Sequence, residues 1–144
     1  MKQRTEIVHA TTVSITGKGV LIVGPSGSGK SSLALQLIGM GAGLVADDRT
    51  QIDLDGAGAL TATAPDAIRG LIEARGIGLL RAEYVGSTAL QLVVDLSQRE
   101  EQRLPDAHCY SVLGIPLRCL YAAPSPHFAA GIWLYVQGTL DMPL

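Results

Sequence analysis

Residues 20–31 read VLIVGPSGSGKS, and this stretch says more about the fold than any other part of the chain. The four apolar residues predict a short buried strand. The next eight match the pattern G-x-x-x-x-G-K-[ST] at every fixed position, and they lie between a predicted strand and a predicted helix, as the pattern requires. Its glycines let successive backbone N–H groups point at phosphate oxygens, and the helix N-terminus adds a positive dipole end. The stretch therefore predicts a phosphate-binding loop.

The loop also carries the side chains that a nucleotide site needs. Lys30 is placed to reach the β and γ phosphates, and the Ser31 hydroxyl is placed to ligate Mg²⁺. A glycine-rich turn that happens to precede a helix is the alternative, and the eight matching positions in this context disfavour it. The predicted nucleotide-binding residues are Gly24, Pro25, Ser26, Gly27, Ser28, Gly29, Lys30, Ser31 and Ser32.

Two carboxylates, Asp47 and Asp48, follow a second apolar stretch at residues 44–46. Adjacent residues of a strand point to opposite faces, so the two can share a task only if the strand ends before them. We expect one to face Mg²⁺, directly or through water, and the other to take a proton from an incoming hydroxyl. A solvated pair of acids that caps the following loop is the alternative.

Three further residues are weaker signals when taken alone. Glu73 and Arg75 are two residues apart on a segment predicted to be extended, so their side chains share a face. Facing phosphate and metal, they would act as ligand and charge clamp. From spacing alone, a surface ion pair near a glycine-rich turn is the favoured interpretation. His9 is a lone histidine on a β-rich segment, where an ordinary packed or exposed residue is the usual case.

Composition limits the class of protein. The 144 residues predict a single domain over residues 1–144, and 47% hydrophobic residues exclude a disordered chain. A net charge of −2 gives no basic field for nucleic acid. Cys109 and Cys119 are too few for a metal cluster, and no signal peptide is evident, so a reduced, cytoplasmic chain is expected. Residues 119–140 lack formal charge, but residues 124–127 interrupt them, so no membrane span is predicted.

The rest of the chain alternates strand and helix signals. Asp55-Gly56 between two β-rich runs predicts a hairpin, and Pro65 with Asp66 predicts a helix start. Residues 98–103 predict a charged surface turn. Because strands outnumber helices, we expect an α/β architecture with a mixed sheet and flanking helices. The predicted strands are residues 7–15, 20–23, 44–46, 50–54, 57–63, 77–80, 90–96 and 115–121, and the predicted helices are residues 31–40 and 126–136.

Four stretches together resemble the catalytic domain of HPr kinase/phosphorylase. They read HATT at residues 9–12, GVLIVGPSGSGKS at 19–31, LVADD at 44–48 and IEARGIG at 72–78. The resemblance covers roughly residues 5–100, in order and with family-like spacing. It implies a P-loop fold of the type that the family shares with phosphoenolpyruvate carboxykinase. The family's usual form has an additional N-terminal domain, so the chain resembles the short proteobacterial form that consists of the kinase domain alone.

The resemblance implies an enzyme that transfers a phosphoryl group from ATP, or from pyrophosphate, to a serine of HPr. HPr is the phosphocarrier of the sugar phosphotransferase system, so the reaction would regulate carbohydrate metabolism. ATP and Mg²⁺ are the expected cofactors, and an HPr-like protein is the expected partner. The reverse reaction uses inorganic phosphate and yields pyrophosphate.

The resemblance also implies roles for single residues. Lys30 matches the phosphate-loop lysine, and one of Asp47 and Asp48 matches the base that deprotonates the substrate serine. His9 matches a histidine near that carboxylate, and Arg75 joins the catalytic candidates. The implied catalytic residues are therefore Asp47, Asp48, His9, Lys30 and Arg75, and the implied metal ligands are Ser31 and Glu73.

The last third of the chain departs from the family pattern. Longer members carry a Pro-Gly-Arg-Asn-like loop there, whereas residues 115–120 read IPLRCL. Arg118 is either a remnant of that loop or a surface arginine, so the phosphorylase reaction and the hexameric assembly of longer members are left open. Two other functions stay open beside the serine kinase. One is a kinase or nucleotide-hydrolysing enzyme acting on a small molecule, and the other is an ATP-binding sensor without catalysis.

Overall fold

The structure, a computed structural model, describes residues 3–140. It contains a nine-stranded mixed sheet, a separate two-stranded hairpin and two helices. This confirms the expected α/β architecture. The strands are β1 Arg4–Val8, β2 Ala10–Ile15, β3 Lys18–Val23, β4 Gly43–Ala46, β5 Thr50–Leu54, β6 Leu60–Thr63, β7 Leu71–Ala74, β8 Gly78–Arg81, β9 Thr88–Arg99, β10 His108–Val112 and β11 Ile115–Ala122. The helices are α1 Lys30–Gly39 and α2 Phe128–Leu134, and a π-helical turn, Tyr135–Thr139, follows α2.

The twelve-residue strand β9 is the centre of the large sheet. One of its edges pairs in parallel with β3, and the sheet continues through β2 to β4. Its other edge is shared: β6 pairs antiparallel with Thr88 and Ala89, and β11 pairs in parallel from Leu92 onward. Beyond β6 come β5 and β1, while β10 pairs with β11.

The sheet buries a hydrophobic cluster on each face because successive side chains of a strand alternate. On β3, Val20 and Ile22 join the cluster under α1 and α2, whereas Leu21 joins the cluster on the opposite face. Helix α2 contributes Ile132 and Val136 follows it, both fully buried in the first cluster. Burial of one such side chain is worth about 1.5–3 kcal/mol. The helices are therefore held to one face by packing.

The topology brings several chain segments to one edge of the sheet. Strand β2 pairs antiparallel with both β3 and β4, so the carboxyl ends of β3 and β4 lie beside the beginning of β2. Val23 at the end of β3 pairs with Ala10, and Ala46 at the end of β4 pairs with Thr12. Asp95 of β9 also pairs with Val23. The phosphate loop and the two aspartates after β4 therefore leave the sheet close together.

The predicted strand over residues 7–15 is wrong in one respect, because it is two strands. β1 pairs with β5, and β2 pairs with β3 and β4, so the chain changes partners at His9. His9 lies outside both strands, and its side chain is free to turn toward the ends of the neighbouring strands. The partner change is a long-range event that local β-propensity does not report.

The predicted helix at Pro65 is also wrong. Residues Asp66–Ile68 form only one 3₁₀ turn, since Arg69 is extended and Gly70 has a left-handed φ of 76°. The predicted turn at residues 98–103 begins too early, because β9 continues to Arg99. The closing helix is shorter than its predicted span of 126–136, and it ends in the π-helical turn. Strand β10 was not predicted.

The hairpin around Asp55 is confirmed. Its carboxylate accepts hydrogen bonds from the backbone N–H groups of Ala57 and Ala59 at 2.8 and 2.9 Å, which closes the loop between β5 and β6. Cys119 is buried, Cys109 is exposed, and both are free thiols. Within residues 3–140, neither helix has the length and apolar character needed to cross a bilayer.

Candidate active site

A cleft of about 380 Å³ opens at the sheet edge where β3 and β4 end. Every residue that lines it belongs to the sets predicted from the sequence: Ser26, Gly27, Gly29, Lys30, Ser31, Ser32, Asp47, Asp48, Glu73 and Arg75. Gly24, Pro25 and Ser28 complete the loop, and His9 reaches the site through a hydrogen bond with Lys30 and a 3.3 Å contact with Asp48. The structure thus brings the predicted residues together.

The phosphate loop has the backbone that its glycines permit. Gly27 and Gly29 have left-handed φ angles of 82° and 99°, which other residues rarely adopt. Gly24 is needed for a different reason, since a Cβ there would lie 2.6 Å from the Ser28 hydroxyl. The first turn of α1 follows at once, with the Leu33 N–H donating to the Gly29 carbonyl at 3.0 Å.

Lys30 is buried, with 5% of its surface exposed. Its ammonium donates to the carbonyls of Gly24 and Pro25 at 2.9 and 3.2 Å and lies 3.1 Å from His9 Nε2. A lysine ammonium can only donate, so His9 Nε2 is the atom placed to accept this hydrogen bond. On the other side of the ring, His9 Nδ1 lies 3.3 Å from Asp48 Oδ1. Lys30, His9 and Asp48 therefore form a chain of polar contacts across the loop.

Asp47 is the most extensively bonded carboxylate of the site. Its Oδ1 accepts hydrogen bonds from the Ser31 hydroxyl at 2.6 Å and from the Thr11 hydroxyl at 3.1 Å. Its Oδ2 accepts from the backbone N–H of Glu73 at 3.0 Å. Asp47 therefore ties the start of α1, strand β2 and strand β7 together.

Asp48 is turned into the same cleft by an unusual backbone. Its φ is 66°, in the left-handed region, and its N–H donates to the Thr11 hydroxyl at 3.1 Å. Strand β4 ends at Ala46, so the alternation of a strand no longer separates the two aspartates. The Asp48 side chain is 62% exposed, whereas the Asp47 carboxylate is enclosed by donors. The pair is thus divided into a fixed carboxylate and an accessible one.

Glu73 and Arg75 lie on the exposed side of β7 and just after it, where buried and exposed residues alternate. Both side chains line the cleft, as the family resemblance implied, whereas spacing alone had favoured a surface ion pair. Arg118 is placed elsewhere. It lies on β11 and donates to the Tyr135 hydroxyl and the Thr139 carbonyl, both at 3.2 Å, so it packs toward the turn after α2.

The site fits a nucleotide with Mg²⁺. The Ser28 hydroxyl is buried in the loop without a partner among the described residues, which suits a donor kept for a phosphate oxygen. No group of three His, Cys, Asp or Glu side chains that could hold a metal occurs in residues 3–140. Mg²⁺ does not need one, because it is usually held by one or two carboxylates together with phosphates and water. Ser31, Asp47 and Glu73 offer that kind of donor set.

Sequence reasoning missed the role of Thr11. The residue is fully buried, and its hydroxyl contacts Asp47 and the backbone of Asp48, so it supports both carboxylates. A threonine in a β-rich run is ordinary, and nothing local distinguishes Thr11 from Thr12. Thr12 bonds to the Thr50 hydroxyl instead, at 2.8 Å.

Comparisons with known proteins show the family to which the chain belongs. The model of the HPr serine kinase C-terminal domain family matches residues 2–111. An HPr kinase/phosphorylase of Bordetella pertussis is 39% identical over 150 aligned residues, which cover 94% of this chain and 49% of the relative. One of Cupriavidus metallidurans is 41% identical over 121 residues, covering 76% and 38%. The chain spans about half the length of the curated relatives it matches.

A solved structure, that of the HPr(Ser) kinase/phosphatase from Coxiella burnetii, also matches this fold. Its TM-score is 0.78 at 25% identity, covering 92% of this chain and 88% of that one. The family match covers the strand β2, the phosphate loop, both aspartates and the Glu73–Arg75 segment. On this evidence the chain belongs to the HPr serine kinase C-terminal domain family.

Proposed function

We propose that the chain is an ATP-dependent kinase that phosphorylates a serine of an HPr-like phosphocarrier protein. One observation carries the proposal most of the way: an accessible carboxylate, Asp48, lies beside the phosphate-loop lysine through His9. A cleft that only bound nucleotide would need the loop but not an accessible base next to it. The names of the relatives supply the acceptor, since they are HPr kinase/phosphorylases.

In the proposed reaction Asp48 is the general base. It takes the proton of the acceptor serine as the serine oxygen bonds to the γ-phosphorus, and the bond from that phosphorus to the β–γ bridging oxygen breaks. ADP then leaves with the bridging oxygen. The exposure of Asp48 lets a protein hydroxyl reach it, and the His9 imidazole lies 3.3 Å from its carboxylate on the side of Lys30. Its left-handed backbone, fixed by Thr11, points it at the cleft.

Asp47 has the other task. Together with Ser31 and Glu73 it would hold Mg²⁺, which neutralises charge on the phosphates during transfer. Lys30 stabilises the same charge from below, since its ammonium is already fixed by two carbonyls and His9. Arg75, exposed at the rim of the cleft, is the remaining cation able to reach a phosphate.

The reaction is proposed for the cytoplasm, which suits a chain whose two cysteines are unpaired. ATP is the proposed donor. Reversal by inorganic phosphate would use Asp48 as the acid in place of the base, and it needs a separate test because residues 115–120 lack the loop of the longer family members.

The test is transfer of label from γ-labelled ATP with Mg²⁺ to purified HPr. The controls are an HPr whose acceptor serine is alanine and a Lys30→Met variant of this chain. Label on the serine-bearing HPr alone, lost in Lys30→Met, supports the proposal. Adding excess phosphate to the labelled product then tests the reverse reaction. ATP binding with no label on HPr contradicts the proposal and favours a different acceptor or a sensor role.

A further inference from the structure

A second hollow of about 380 Å³ adjoins the cleft. The cleft is lined by the later residues of the phosphate loop, and the hollow is lined by the first two, Gly24 and Pro25. His9 connects the two spaces, because it lines the hollow and also contacts Lys30 and Asp48. Asp95, near the middle of the sheet edge, lines the hollow as well.

Asp95 is a buried carboxylate, with 7% of its surface exposed. Its Oδ1 accepts from the Ser97 N–H at 3.0 Å and from the Ser97 hydroxyl at 2.6 Å. Among the ion pairs between residues 3–140, none involves Asp95. Aspartate is rarely this buried without a partner of opposite charge. The hollow therefore presents an acidic group that forms no ion pair with the described residues and shares the lining with His9.

The pKa values of two neighbouring side chains are raised, first by burial and second by the negative charge of Asp95. Burial and then the Asp95 carboxylate raise the pKa of Tyr110, which also lines the hollow. Burial, followed by the same carboxylate, raises the pKa of the Cys119 thiol to about 12. Both effects are those of a negative charge close by in a poorly hydrated place. A cation entering the hollow would meet this field directly.

The position of the hollow indicates which molecule supplies the cation. The phosphate-loop lysine reaches the β and γ phosphates, and His9 touches that lysine, so His9 marks the γ-phosphate end of the site. The group that approaches this end is the acceptor. Val8 and Val23 give the hollow apolar walls, which suit the alkyl stem of a lysine or arginine whose charged head meets Asp95.

We infer that this hollow binds a basic side chain of the acceptor protein, held by Asp95 beside the serine to be phosphorylated. The inference rests on the proposed function and adds a specificity residue to it. Asp95 does not touch the reacting atoms in this arrangement. It selects acceptors that carry a lysine or arginine at the right distance from the serine.

The test is steady-state transfer from ATP to HPr by the Asp95→Asn variant. Asparagine keeps an oxygen for both Ser97 hydrogen bonds and removes the charge. The matched control is Asp106→Asn, a carboxylate in the exposed loop between β9 and β10. In parallel, each lysine and arginine of HPr near the acceptor serine is changed singly to alanine. A second variant, Val8→Lys, places a cation in the hollow without altering Asp95. This variant tests whether the hollow binds HPr even if Asp95→Asn lowers the melting temperature.

We expect Asp95→Asn and Val8→Lys to raise the KM for HPr at least about tenfold, while the KM for ATP stays unchanged. One HPr alanine variant should show the same loss with the unmodified chain and no further loss with Asp95→Asn. An unchanged KM for HPr overturns the inference alone. A raised KM for ATP overturns it too, and assigns the hollow to the nucleotide. If the unmodified chain does not label HPr at all, the proposed function fails and this inference fails with it.

Discussion

The segment from residue 9 to residue 75 and the segment after residue 100 contribute differently to the molecule. The first contributes every residue that lines the cleft, together with His9 and Thr11, which contact its carboxylates. The second contributes a sheet edge and a helix, whose main contacts are apolar. The cleft residues of the first segment lie in the phosphate loop, in the first turn of α1, after the end of β4, and on or just after β7. The candidate site is thus built by the first segment, and the later segment packs against the same sheet.

The difference is clearest in the polar contacts. Asp47 alone receives three hydrogen bonds from three separate elements. In the later segment, Glu100 and His108 form a single ion pair at 2.8 Å, and the His108 ring stacks on Tyr121. A dense network thus holds the groups proposed to act on substrate, whereas the polar contacts of the later segment are separate from one another.

The largest effect is expected at the accessible carboxylate. Asp48→Asn removes the proposed base, so transfer to HPr should fall about 10²–10⁴-fold. Binding of a fluorescent ATP analogue should be unchanged, since the phosphate loop is intact. Asp53→Asn changes a half-buried carboxylate of β5 that does not line the cleft, and it serves as the control. Near-normal transfer by Asp48→Asn would show that Asp48 is not the general base.

The next effect belongs to the supporting segment. Ile132→Ala on α2 deletes a fully buried side chain, and it should lower the free energy of unfolding by about 2–5 kcal/mol. At a temperature where the variant remains folded, the KM for ATP should not change. Chemical denaturation and transfer kinetics measure the two quantities. Leu134 lies on the same helix and is 69% exposed, so Leu134→Ala should change neither the free energy of unfolding nor the KM for ATP. If Ile132→Ala lost more activity than its unfolded fraction explains, α2 would contribute to the site and not only to the stability of the fold.

A smaller effect is expected at Thr11, the buried residue that supports both aspartates. Thr11→Val removes a donor to Asp47 and leaves the Asp48 N–H without its acceptor, so we expect kcat to fall by about tenfold. The Mg²⁺ concentration for half-maximal rate should rise as well. Thr11→Ser should restore both values. Thr12→Val, equally buried but bonded to Thr50, should leave both near normal.

The smallest effect concerns acid stability. The His108 hydrogen bond holds the pKa of Glu100 below its usual value of 4.5. A lowered pKa means that this contact stabilises the fold above about pH 4.5, and that the contribution is lost as pH falls further. Melting temperatures at pH 7 and pH 3 should therefore differ less for Glu100→Gln than for the unmodified chain. Glu101→Gln is the control. Equal differences in all three proteins would show that the pair contributes nothing.

Local rules explain why much of the site could be predicted. The loop at residues 24–31 needs only its own glycines and the following helix, so its sequence pattern sufficed. The face shared by Glu73 and Arg75 followed from strand alternation. The family and the α/β fold were predicted correctly from those residues together with LVADD at 44–48.

The remaining features depend on pairings between distant strands. His9 reaches Asp48 only because the chain changes partners between β1 and β2. The different surroundings of the two aspartates depend on Thr11 and on the left-handed backbone of Asp48, and both follow from the pairing of β2 with β4. No local pattern distinguishes Asp95 from other strand residues, and only the pairing of β9 with β3 places it beside Val23. No short-range pattern contains this information.

Strand β9 has a consequence for the order of folding. It pairs with β3 across about seventy residues of sequence, as Lys18 opposite Ala89 and Val23 opposite Asp95. Pairings of such separation close large loops and form slowly. A nascent chain that has released the phosphate loop therefore still lacks the strand that supports it from one side. We expect nucleotide affinity to appear only after residues 88–99 have emerged, so the earliest functional motif in the sequence becomes competent late in synthesis.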